Sequence, residues 1–188
     1  MNADLSTFHG VFFDLDGTLV DLVVDWSAVR RELRKALSAA VGQEMPEDSL
    51  AGLLTQGHRL LGPEARRIVC GVLERFEGPA TVRPLATGLE LFSTASGRPR
   101  AVVSNNLRGT VKQALVGLSA EDLVVVGFDD VETSKPDPEG LLLAAQTLAL
   151  DPADVVYVGN TDIDRKAAAA AGMAFLQIGS YKPLRRTV

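Results

Sequence analysis

Asp14 and Asp16 stand one residue apart, directly behind the apolar run Val11-Phe12-Phe13 and just ahead of Gly17, in the stretch V-F-F-D-L-D-G-T-L. A short apolar run bounded by a turn residue reads as a buried strand of a parallel sheet. Ligands of open α/β sheets bind beyond the carboxyl ends of the strands, which is where these carboxylates fall. Two acids there are costly unless a cation or a reaction uses them. A lone D-x-D would read as an Asx-turn, but three later strand ends echo this one. Ala101-Val102-Val103 ends at Ser104, followed by Asn105 and Asn106. Val124-Val125-Val126 runs into F-D-D-V-E-T-S-K-P-D-P, which places Lys135 between Ser134 and Pro136. Val155-Val156-Tyr157-Val158 ends at Gly159-Asn160-Thr161, with Asp162 and Asp164 at a helix start. Carboxylates, a hydroxyl, an ammonium and a second polar-acidic patch therefore converge on one face of a sheet.

The elements that must position these groups alternate. Helical patterns around Thr87 to Ala95, Gly109 to Val116, Pro138 to Ala149 and Asp164 to Ala171 precede the strands Arg100 to Ser104, Leu123 to Val126, Val155 to Val158 and Ala174 to Ile178. That succession implies an α/β fold, a doubly wound parallel sheet of Rossmann-like type with right-handed crossovers. The alanine run Ala167 to Ala171 reads as close helix–sheet packing. Between the first strand and this region lie three helical patterns with no strand among them. Trp26, Val29, Leu33, Leu37 and Ala40 recur at helical spacing up to Gly42; Pro46 opens a second helix and Pro63 a third. They read as an inserted all-helical cap, residues 21–83, on a core made of residues 1–20 plus 84–188.

Composition narrows the function. The chain has 188 residues, 46% of them hydrophobic, and a formal charge of −5. No basic block exceeds the Arg185-Arg186 pair, which argues against nucleic acid or an anionic membrane as the partner. The single cysteine, Cys70, sits among Ile68, Val69 and Val72 and reads as a buried apolar residue. No secretory signal and no run of membrane-spanning length stand out, so a cytoplasmic location is expected.

In their order and spacing the four strand-end segments resemble the motifs of the haloacid dehalogenase superfamily. The likeness is to its phosphoglycolate-phosphatase-like group, with a small helical cap after the first motif, and it covers essentially the whole chain. The resemblance implies a Mg²⁺-dependent phosphatase acting on a small-molecule phosphate ester, as a monomer or homodimer. Asp14 would be the nucleophile that forms an aspartyl-phosphate, and Asp16 the general acid and base. Ser104 and the Asn105 backbone N–H would hold the phosphoryl oxygens, and Lys135 would neutralise charge on them and on Asp14. The metal would be held among Asp14, Asp16 (through its backbone carbonyl), Asn160 and Asp164. Dehalogenases of the superfamily lack an acid at the position of Asp16, so its presence implies phosphoryl chemistry. Asn160 departs from the family pattern, which has an aspartate there, and the site loses one negative charge. Asp162 is then either a compensating ligand or simply a residue favoured at a helix N-terminus. A phosphomutase, or a non-catalytic binding protein on the same scaffold, are the alternatives. In the cap, Arg30, Arg31, His58, Arg59, Arg66 and Arg67 are either a solvated face or a meeting point for an anionic substrate tail.

Overall fold

The structure is a computed structural model that describes residues 5–46, 49–117 and 123–179. The Arg185-Arg186 pair lies outside the described residues. By compactness the chain divides into two units, one running up to Leu22 and resuming at Val82, the other Val23–Thr81.

In chain order the elements are β1 (Gly10–Phe13), β2 (Val20–Val23), α1 (Trp26–Val41), α2 (Leu50–Leu61), α3 (Pro63–Glu77), β3 (Thr81–Pro84), α4 (Ala86–Thr94) and β4 (Arg100–Val103). Then come α5 (Arg108–Ala114), β5 (Val124–Val126), α6 (Glu139–Thr147), β6 (Val155–Gly159), α7 (Asp162–Ala171) and β7 (Ala174–Gln177). Five strands form one parallel sheet in the order β5-β4-β1-β6-β7. β1 is central and buried along its whole length, pairing Phe12 with Ala101 on one side and with Tyr157 on the other. This is why it reads as an unbroken apolar run. The chain moves outward from β1 through β4 to β5, then returns across β1 to lay down β6 and β7. The crossover direction reverses between β1 and β6, which opens a crevice at their carboxyl ends.

One layer of the core packs Phe12, Ala101, Val103, Val126 and Tyr157 of the sheet against Leu141, Ala144 and Ala145 of α6 and Ala167, Ala168 and Ala171 of α7. Small side chains let α7 lie close to the sheet, and its buried positions are Asp164, Ala167, Ala168 and Ala171. Asp164 therefore begins an otherwise apolar stripe, at the site end of the helix. Gly88 of α4 is a second close approach, because a Cβ there would overlap the carbonyl oxygen of Thr18.

The second unit carries α1, α2 and α3. Asp25 caps α1, accepting from the Ala28 N–H at 2.9 Å, and Val29, Leu33 and Leu37 form its buried stripe, while Ala40 is exposed. α2 begins at Leu50, later than the expected start at Pro46, because Ser49 supplies the cap by accepting from the Gly52 N–H at 3.0 Å. Cys70 is half-buried, not buried as its neighbours suggested; Val69 and Val72 occupy the inward positions of α3. Arg30, Arg31, His58, Arg59 and Arg67 are exposed, Arg66 is half-buried, and Arg67 pairs with Glu64. The strands β2 and β3, which flank these helices, pair with each other in a two-stranded sheet that the sequence reading did not contain. No helix among the described residues is long and apolar enough to cross a membrane.

Candidate active site

β1 ends by delivering Asp14, whose N–H continues the ladder to the Val158 carbonyl of β6 at 2.9 Å. The chain then turns sharply: the N–H groups of Leu19 and Val20 both donate to the Leu15 carbonyl, and the Gly17 N–H donates to Val20 at 2.7 Å. Gly17 has a φ of +80°, and a Cβ on it would collide with the side-chain amide of Asn160. Glycine is thus required twice over, by the left-handed backbone and by the close approach.

Asp14 is 6% exposed and its two oxygens have different partners. Oδ1 accepts from the Lys135 ammonium at 2.8 Å, and Oδ2 accepts from the Thr18 hydroxyl at 3.0 Å. That hydroxyl also lies 3.4 Å from Oδ1 of Asn160, so the Asn160 amide belongs to the same cluster. Lys135 reaches further, to Oδ1 of Asp164 at 2.6 Å and to the Tyr157 hydroxyl at 2.7 Å. Asp164 is fixed in turn by the start of α7, where Thr161 donates to its Oδ2 from both backbone (3.0 Å) and hydroxyl (2.6 Å). The Asp164 carboxylate is thus at once a helix cap and the second counter-charge to Lys135.

Ser104 and Asn105 follow β4. Ser104 is buried and donates from its hydroxyl to Oδ1 of Asn106 at 2.8 Å. The Asn105 side chain clamps the backbone of Lys135: its Oδ1 accepts from the Lys135 N–H and its Nδ2 donates to the Lys135 carbonyl, each at 3.0 Å. The same loop is held farther back by Glu139, which accepts from the N–H groups of Glu132 and Thr133. Asp16 is half-buried, and its Oδ1 accepts from the Leu22 N–H of β2 at 2.9 Å. Asp162 is exposed and pairs with Arg165 and Lys166 of its own helix, the helix N-terminal reading of this residue.

The structure therefore gathers Asp14, Lys135, Asp164 and, through Thr18, Asn160 into direct hydrogen-bond reach, with Asn105 gripping the lysine from its backbone side. Thr18, Thr161 and Tyr157 were not singled out in the sequence. A signal existed for Tyr157: a phenol inside the Val-rich run V-V-Y-V must find a partner for its hydroxyl.

The electrostatics follow from burial. Desolvation raises the Asp14 carboxyl above the ordinary range, offset only in part by Lys135. Burial presses Lys135 down, but Asp14 and Asp164 outweigh it and hold the ammonium above the usual lysine range. Burial pushes Asp164 up as well, yet Lys135 and the two Thr161 donors prevail and leave it lowered. A lowered carboxyl contributes stability that is complete above its unfolded pKa, about 3.9, and disappears as pH falls through the folded value. Asp14, raised, contributes with the opposite sign. Thermal melts across pH should show an acid-side loss of stability below about pH 4, and Asp164→Asn should flatten that limb. An unchanged limb in the variant would remove Asp164 as its cause.

Comparison with known proteins adds to this geometry. The family model described as haloacid dehalogenase-like hydrolase matches residues 8–172. An N-acetylmuramic acid 6-phosphate phosphatase of Pseudomonas putida is 31% identical, the alignment covering 93% of this chain and 85% of that protein. A phosphoglycolate phosphatase of Escherichia coli is 28% identical over 87% of this chain and 78% of its own length. Among solved structures, a haloacid dehalogenase-like hydrolase from Bacteroides fragilis superposes with a TM-score of 0.63 at 22% identity, over 94% of this chain and 90% of that one. CbbY from Rhodobacter sphaeroides, solved in complex with phosphate, gives 0.63 at 20% identity over 93% and 87%. At those identities the two structures speak for the fold.

Proposed function

Because the chain belongs to the haloacid dehalogenase-like hydrolase family, we propose that it is a phosphatase that hydrolyses a small phosphorylated metabolite through Asp14. The observation that carries this reading is the ammonium of Lys135, held between two buried carboxylates at the carboxyl ends of β1 and β6, where the crossover direction reverses. A nucleophilic carboxylate needs its lone pairs aimed and its repulsion with a dianionic phosphate cancelled, and this arrangement supports both. In the proposed reaction an Asp14 oxygen attacks phosphorus and the bond from phosphorus to the ester oxygen breaks. Asp16 protonates the departing alkoxide, giving an alcohol and an aspartyl-phosphate. Asp16, now a carboxylate, removes a proton from water as that water attacks phosphorus, and Asp14 leaves with its electron pair to release inorganic phosphate. Ser104 and the Asn105 N–H would hold the phosphoryl oxygens, with Lys135 balancing their charge. The inserted helical unit would act as a cap that selects the substrate. The substrates that name the relatives, N-acetylmuramic acid 6-phosphate and phosphoglycolate, share the phosphate monoester and differ in what a cap would admit. A cytoplasmic monomer or homodimer completes the proposal.

The donor chemistry suits a hard divalent cation. Asp14 Oδ2 and Asn160 Oδ1 lie within reach of one Thr18 hydroxyl, whose single proton cannot fully serve both. Oxygen donors of this kind match Mg²⁺. Asp14, the Asp16 carbonyl and Asn160 would hold it, with Asp164 adding its charge to the same site, and the ion when bound screens the phosphate dianion from Asp14. Among the described residues no group of three or more His, Cys, Asp or Glu side chains is gathered for a metal. Two negative charges and a neutral amide should therefore bind Mg²⁺ weakly. Hydrolysis of p-nitrophenyl phosphate should require added Mg²⁺ and stop with chelator. Asn160→Asp should lower the half-saturating metal concentration severalfold, in turnover and in calorimetric titration alike. Equal turnover with chelator present would refute the metal dependence, and absence of turnover at any metal concentration would count against the phosphatase.

A further inference from the structure

We propose that Tyr157 is a positioning residue for this chemistry, a neutral third anchor that fixes where the Lys135 ammonium sits; the proposal rests on the phosphatase reading only for its kinetic consequence. An ammonium has three protons, and all three are directed at protein acceptors here: Asp14 Oδ1 at 2.8 Å, Asp164 Oδ1 at 2.6 Å and the Tyr157 oxygen at 2.7 Å. The two carboxylates are the expected partners of a buried lysine. The phenol is not needed for charge balance, so its presence calls for another account.

The phenol is itself oriented. It has one proton and two neighbouring acceptors, the Val103 carbonyl at 2.8 Å and Asp164 Oδ1 at 3.4 Å. The shorter bond takes the proton, and a lone pair then faces Lys135. Val103 is the last residue of β4, immediately before Ser104, while Tyr157 lies in β6. The hydroxyl therefore ties the lysine to the end of β4 and the middle of β6, the two strands flanking β1, and Tyr157 is completely buried, with its ring in the sheet core.

An arriving phosphoryl group must draw at least one N–H of Lys135 toward its own oxygens. The N–H bound to Asp14 is the one released, because Asp14 is consumed as the nucleophile. Asp164 and Tyr157 then hold the ammonium in place while charge builds on phosphorus. Without the hydroxyl, Asp164 is a single pivot and the ammonium can drift from the phosphoryl oxygens.

The test is Tyr157→Phe, which keeps the ring and removes the oxygen. With p-nitrophenyl phosphate and saturating Mg²⁺, kcat should fall about tenfold, as expected for one hydrogen bond to a charged group, while KM stays within about twofold. Melting curves would establish that the assayed protein is folded. A merely structural tyrosine would lower the melting temperature and leave kcat per folded molecule unchanged, and that result would overturn the proposal. Should Tyr157→Phe fail to fold, 3-fluorotyrosine at position 157 keeps ring and hydroxyl but weakens the oxygen as an acceptor. It should lower kcat in the same sense, and no change would overturn the proposal. A second readout does not depend on turnover: in ¹⁵N-lysine-labelled protein, the Lys135 ammonium signal should be sharp in the wild type and shift or broaden in either variant. A wild type that hydrolyses no phosphate ester would end the phosphatase reading, and the ammonium signal would still decide the role of Tyr157. An identical signal in wild type and variant would refute it.

Discussion

Asp14→Asn is expected to bring the hydrolysis of p-nitrophenyl phosphate to background, a fall on the order of 10⁴-fold or more, as befits the loss of a covalent nucleophile. The amide has nearly the same shape as the carboxylate but its oxygen does not form the acyl-phosphate bond. The fold should survive. Burial already makes the ionised Asp14 unfavourable, which is why its carboxyl is raised, and Lys135 keeps Asp164 as a counter-charge at 2.6 Å. The amide oxygen can still accept from Thr18 or Lys135. A melting temperature close to that of the wild type together with lost turnover would assign the defect to chemistry. Retention of turnover in a folded Asp14→Asn protein would refute the aspartyl-phosphate mechanism.

Lys135→Met should go further, damaging stability as well as activity. Removing the ammonium strands two carboxylates, on Asp14 and Asp164, that are 6% and 2% exposed. Breaking a buried pair in this way costs about 3–5 kcal/mol, because the charge left behind has no compensation. Protonation of a carboxyl recovers part of it and raises the pKa of the pair. The double variant Lys135→Met with Asp164→Asn removes one of the stranded charges and should regain a large part of the loss. Urea titration of the three proteins measures both steps. A single variant within about 1 kcal/mol of the wild type, the range of an exposed pair, would mean that the ion pairs contribute little.

Asp14 and Lys135, the targets of these variants, were legible in the sequence, and so was part of the frame that holds them. The central strand could be read because Val11, Phe12 and Phe13 are buried on both faces and end at residues with an obvious chemical use. The alternation of helix and strand after Pro84 could be read for the same reason. Strand order could not, since it depends on which valine run pairs with which, and Val102, Val125 and Val156 are equivalent as text. β2 and β3 escaped because neither is an unbroken apolar run: Asp21 interrupts the first, and the second mixes Arg83 and Pro84 into an exposed ribbon. The start of α2 was misplaced because proline is only one of the ways to open a helix, and the hydroxyl of Ser49 does the work. At the site, Asp14 and Lys135 announce themselves by type and neighbours. The side chain of Asn105 does not, because its partner is a backbone thirty residues away.

That clamp has a consequence for how the protein responds to salt. The Debye length shrinks from about 10 Å at 0.1 M to about 3 Å at 1 M, so exposed pairs such as Asp162 with Lys166 lose most of their attraction in brine. The two bonds between Asn105 and the Lys135 backbone are neutral, and the ammonium they position is sheltered from counter-ions by burial. The protein thus carries a surface that titrates with ionic strength and a centre that is indifferent to it. High salt can alter how a charged substrate finds the crevice while leaving the groups inside it where they were.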